Sequence, residues 1–139
     1  MGKSAILFGV MTAIAIAGCA GQPSQETIDK NQAVRDFVEL RELESLSRIR
    51  SDSSDGWQQI TLTYIIYRTR RAQYLFEFVR PCRELTDYTR IVADERHEVN
   101  VIRAKFDTLR GCRIAAIYAL TPAEVAELEN IGEPPGSRN

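Results

Sequence analysis

ITLTYIIY (Ile60–Tyr67), then RTRR (Arg68–Arg71), then QYLFEFV (Gln73–Val79) is the stretch that decides the fold class. β-branched and aromatic residues fill both apolar runs, a composition that suits a pleated surface better than a helix. Leu62, Tyr64 and Ile66 share one side at a period of two. The polar RTRR segment is the connection, so the two runs read as a hairpin, and Arg80-Pro81 ends the second because proline has no N–H for a ladder. Apolar residues occupy both faces of Tyr74–Val79, which predicts that a terminal helix covers one of them.

Outward from the hairpin, the C-terminal side predicts short strands at Asp87–Ile91, Glu98–Arg103 and Lys105–Leu109, and a long one at Cys112–Leu120. Thr121-Pro122-Ala123-Glu124 is a helix start: threonine caps, proline fits the first turn, and Glu124 completes a capping box. That helix runs to about Asn130 and stops at Gly132. On the N-terminal side Trp57 stands at the beginning of the hairpin, and SDSSDG (Ser51–Gly56) reads as a loop. Glu42–Arg50 fits either helix or strand. A short helix capped by Ser24 or Thr27 runs to about Asp36, with Ile28, Val34, Phe37 and Val38 only loosely at helical spacing. The expectation is a mainly β (α+β) domain: a small curved antiparallel sheet or partly open barrel with a C-terminal helix and one disulfide.

The first residues carry a different message. Lys3 precedes an uncharged apolar run, Ala5–Ile16, and Ile16-Ala17-Gly18-Cys19 closes it. Such a run is too short for a spanning helix and has the layout of a signal peptide. Its end resembles the bacterial lipobox, in which the cysteine thiol is alkylated by diacylglycerol and the chain is cut just before it. The division expected is a signal peptide over 1–18, a tether over 19–26, one domain over 27–131 and a flexible tail over 132–139. Acylation of Cys19, palmitate among the chains, would hold the protein at a membrane surface, since two or three chains together anchor stably. Ala20, in place of aspartate, points by the same resemblance to the periplasmic face of the outer membrane.

Composition narrows the partners. The chain has 18 Lys+Arg and 19 Asp+Glu, and loss of Lys3 leaves a mature net charge of about −2. That balance gives no electrostatic reason to expect nucleic acid. With Cys19 lipidated, Cys82 and Cys112 remain as an even pair in a small exported domain, the pattern of a disulfide. Neither lies in a CxxC, so zinc and redox roles lack their usual spacing.

Candidate chemistry is sparse. The single histidine, His97, sits among Asp94, Glu95 and Glu98 without a HExxH pattern, and reads as a solvated charged turn, not a metal site. No serine lies in a GxSxG elbow, and no catalytic constellation is found. No enzyme activity and no cofactor is expected. Arg68, Arg70 and Arg71 mark the hairpin tip, with Arg80 and Arg83 at the other end of the returning strand. Such patches meet anionic headgroups or an acidic partner, or are simply solvated. Trp57, Tyr64 and Tyr74 belong to an aromatic face that is either core or a groove for an apolar or peptide ligand.

Trp57, the run Tyr74–Phe78, Pro81-Cys82-Arg83-Glu84-Leu85, Phe106-Asp107 and Cys112-Arg113-Ile114 before Ile117 together resemble a set of small proteobacterial lipoproteins grouped as a domain of unknown function. The likeness covers roughly Leu43 to Leu128, and its two-cysteine pattern is the most specific part. The compact Arg110-Gly111 turn departs from the family, where the segment before the second cysteine is often longer. The resemblance implies the Cys82–Cys112 bridge and a strand over Glu44–Arg50, and brings no catalytic residue. The function expected is a structural or protein-interaction accessory of the cell envelope, bound to the membrane through Cys19 and to an envelope protein. The alternative is a small-ligand-binding module or an inhibitor of an envelope enzyme.

Overall fold

The computed structural model describes residues 24–51, 54–86 and 100–133. The segment through residue 23, with the signal peptide and Cys19, lies outside them. So do the strand expected at Asp87–Ile91, the His97 cluster and the tail beyond Glu133. Helix α1 (Gln25–Leu40) begins at Ser24, whose hydroxyl accepts from the Thr27 N–H. It runs one turn past the expected end because Val34 and Phe37 are buried beneath it. Strands β1 (Arg48–Arg50), β2 (Ser54–Gln59), β3 (Tyr64–Thr69), β4 (Gln73–Phe78), β5 (Val101–Arg103), β6 (Thr108–Leu109) and β7 (Cys112–Leu120) follow, and α2 (Pro122–Gly132) closes the domain.

The fold is mainly β. An antiparallel sheet of order β2-β3-β4-β7-β6 curls into a half-barrel, with a β1-β5 ribbon as a second sheet. A single bridge from Ser45 to Tyr118 ties the segment before β1 to β7. Helix α2 has the capping box expected of it: the Thr121 hydroxyl accepts from the Glu124 N–H, and the Glu124 carboxylate accepts from the Thr121 N–H. Among the described residues no helix is long and apolar enough to cross a membrane.

Both faces of the sheet are buried, which explains the unbroken apolar run Tyr64–Tyr67. Ile65, Tyr67, Phe76, Phe78, Ile114 and Ile117 pack on one side against Ile49 and Ile102 of the ribbon. Tyr64, Ile66 and Leu75 pack on the other side against Val34 and Phe37 of α1 and Val125 and Leu128 of α2. Tyr67 and Phe76 stack with centroids 4.8 Å apart.

Three local expectations are corrected. Ile60–Thr63 is not strand but the turn between β2 and β3: the Ile60 and Thr61 N–H groups both donate to the Tyr64 carbonyl. The Thr61 hydroxyl accepts from the Thr63 and Tyr64 N–H groups. The expected loop Ser51–Gly56 instead enters β2 from Ser54, through a bulge at Ser54/Gly56 where Gly56 adopts φ 98°, a conformation glycine takes without strain. Strand Lys105–Leu109 shrinks to Thr108–Leu109, because Lys105 has φ 71° and the Asp107 carboxylate accepts from the Arg103 N–H at 2.7 Å, folding the segment back.

Candidate interaction surfaces

The hairpin tip is built by Thr69. Its N–H donates to the Ala72 carbonyl at 2.9 Å, and its hydroxyl oxygen accepts from the Ala72 N–H at 3.0 Å. Arg70 and Arg71 stand exposed on this turn. Arg68 is separated from them: one of its terminal nitrogens donates to Gln58 Oε1 at 2.6 Å and pairs with Glu129 Oε1 at 2.8 Å. It clasps β3 to α2.

The three aromatics that a groove would need are not brought together. Antiparallel register sets Tyr64 opposite Glu77 and Tyr67 opposite Tyr74, so Tyr64 and Tyr74 point to opposite faces. Tyr64, 1% exposed, is core beneath the helices. Tyr74 and Trp57 are half-buried against the other cluster, and the Arg110 guanidinium lies 5.5 Å over the Trp57 ring. The aromatic face is core on both sides.

A polar cluster that sequence reading did not find lies on the helix-facing side. Glu77 accepts from the Tyr64 hydroxyl at 3.1 Å and the Tyr118 hydroxyl at 3.5 Å. Burial, then the Glu77 charge and its hydrogen bond, push both phenols above their ordinary value. Polar–apolar alternation at Glu77 was the available signal. Its partner Tyr118 is 41 residues away in sequence, which no local pattern reports.

Cys82 and Cys112 form a disulfide with their Cα atoms 5.8 Å apart, closing the separation of 30 residues expected from cysteine arithmetic. It pins the segment after β4 to the start of β7. Glu84 Oε2 lies 3.3 Å from Cys112 Sγ and 3.6 Å from Cys82 Sγ. These three are the only cluster of potential metal ligands among the described residues, and the bridged sulfurs carry no thiolate to offer a cation. Beside the bridge opens a cleft of about 750 Å³ whose wall includes Val79, Arg80, Arg83, Glu84, Thr108 and Arg113. The Val79 N–H donates to the Arg113 carbonyl at 3.0 Å, and Arg80 and Arg113, on the two segments so joined, both line the cleft. Sequence reading placed Arg80 and Arg83 at this end of β4 but did not join Arg113 to them.

No curated protein and no solved structure matches the chain. A family model does match, from residue 2 to residue 131, and takes in all seven described strands and nearly all of α2. The chain is therefore a member of the family of unknown function DUF6491.

Proposed function

We propose that the protein is a lipid-anchored accessory of the cell envelope, acylated on Cys19 at the periplasmic face of the outer membrane, that presents its hairpin tip to a protein partner. The observation that carries this reading is the placement of the tether and the tip at opposite ends. Ser24, where the tether meets α1, lies about two turns from Asn31, whose Oδ1 accepts from the Thr61 hydroxyl at 2.6 Å. Lys30 reaches the Gly132 carbonyl at the same end. From the Ile60–Thr63 turn, β3 runs about 20 Å to Thr69, and Arg70 and Arg71 stand exposed beyond it. A protein held by its N-terminal tether thus offers those arginines away from the bilayer. The family match supports the anchor, because it begins at residue 2 and includes the apolar segment before Cys19. Two filled cores favour a partner-binding surface over the alternative, a small-ligand module.

A photo-crosslinking residue at position 72, beside the two arginines, tests the partner in living cells. Capture of one dominant envelope protein, lost in Arg70→Glu/Arg71→Glu, is the expected result. Capture of neighbours only in proportion to their abundance moves the weight to small-ligand binding. The anchor fails if Cys19→Ser leaves processing and membrane fractionation unchanged.

A further inference from the structure

We infer that the end of the molecule carrying Arg80 and Arg113 is a second, built contact with the membrane, taking the phosphates of anionic phospholipid headgroups. The inference rests on the lipid-anchor reading and adds to it a specific surface. Arg80 and Arg113 flank one cleft and sit on neighbouring chain segments joined by the Val79–Arg113 backbone bond. Two guanidinium groups that line one cleft repel each other, and an anion seated between them removes that cost. The cleft holds one carboxylate, Glu84, and its Oε2 is turned against the disulfide sulfurs. Among the described residues Glu84 makes no ion pair, and neither Arg80 nor Arg113 is paired with an acid. Planar guanidinium groups match a phosphate through paired N–H donors.

The same surface carries apolar residues suited to an interface. Val79 is 57% exposed within the cleft wall. The Lys105 N–H donates to the Ile114 carbonyl at 2.8 Å, one residue from Arg113, which sets the Lys105–Phe106 turn alongside. Phe106 is 71% exposed, and an aromatic ring among cations is the side-chain mixture that settles at headgroup depth.

Topology brings this surface to the tether. The Cys82 N–H donates to the Leu62 carbonyl at 2.7 Å, and Leu62 shares a shallow surface with Glu26, Thr27 and Lys30 in the first turns of α1. The five residues from Cys19 to Ser24 span at most about 17 Å even fully extended. An acylated Cys19 therefore keeps this end close to the bilayer, while Arg70 and Arg71 remain at the far end of β4.

Arginine footprinting of the processed, acylated protein tests the contact. The purified protein is reconstituted in vesicles of phosphatidylcholine alone or with about one third phosphatidylglycerol, labelled with phenylglyoxal, and read by peptide mass. The expected result is labelling of Arg80 and Arg113 slowed about five-fold or more by phosphatidylglycerol, the factor that one cation near an anionic surface contributes. Arg70 and Arg71 should label unchanged, and the protection should fade in high salt, as headgroup contacts are screened. Equal labelling in both vesicles, or protection of Arg70 and Arg71 instead, overturns the inference. The mass of the Cys19 peptide reports the anchor separately. If that cysteine is unmodified, the anchor reading fails, and the same protein added to the two kinds of vesicle still tests the surface. Sedimentation with phosphatidylglycerol vesicles that falls about 25-fold in Arg80→Gln/Arg113→Gln supports it, and sedimentation indifferent to the two substitutions refutes it.

Discussion

Glu77 shows what a single residue contributes. Its carboxylate lies on the helix-facing side of the sheet and is matched by two phenolic donors, Tyr64 and Tyr118. Tyr64→Phe removes the shorter bond from a charged acceptor and should cost about 1–2 kcal/mol, read from the urea midpoint. The pH dependence follows from the raised Tyr64 value. An unfolded tyrosine releases its proton near 10.0, whereas burial and the Glu77 charge make the folded phenol keep it at higher pH. Above pH 10 the unfolded state therefore binds fewer protons than the folded one. Stability falls as pH rises, by up to about 1.4 kcal/mol per pH unit for each such tyrosine. Comparing wild type with Tyr64→Phe at pH 9 and 11 checks this, and an equal slope in the two proteins would count against it.

Elements were legible to the degree that their signals are local. The capping box at Thr121–Glu124, with Pro122 in the first turn, specified the start of α2 through four adjacent residues. Cysteine arithmetic specified the bridge, whose loss in Cys82→Ala/Cys112→Ala should cost about 3–4 kcal/mol for a loop of this length. Thermal unfolding of the oxidised protein and the double variant measures that difference. The strand at Ile60–Tyr67 was half legible. Its β-branched composition was read correctly, but Thr61 closes a turn with its own hydroxyl, and threonine has the same β propensity in either setting. Lys105 was missed for a related reason: a left-handed lysine is required only because Asp107 folds back on Arg103.

Two cores share one sheet, and this arrangement belongs to the whole molecule. The helices cover one face and the β1-β5 ribbon closes on the other. Leu128, fully buried between α2 and the sheet, carries the helical layer, so Leu128→Ala should cost about 3 kcal/mol in urea unfolding. Leu40, 83% exposed on α1, is the matched control, and Leu40→Ala should shift the midpoint little. Equal effects would mean that α2 does not hold the layer. At this scale the candidate sites were least legible. Tyr64, Tyr74 and Trp57 lie close in sequence yet fall on two faces, while Arg80 and Arg113 are distant in sequence and share one cleft.

By itself the sequence determined the β class, the hairpin strands, the terminal helix with its cap, and the pairing of Cys82 with Cys112. Each depends on period, capping chemistry or composition within a few residues, or on an even count of cysteines. Only the tertiary structure decided that both faces of the hairpin are core, that Arg68 serves α2 and not the tip, and that Arg113 joins Arg80 beside the bridge. Those outcomes depend on strand register and on which layers close over the sheet, and a register is set jointly by segments far apart in the chain.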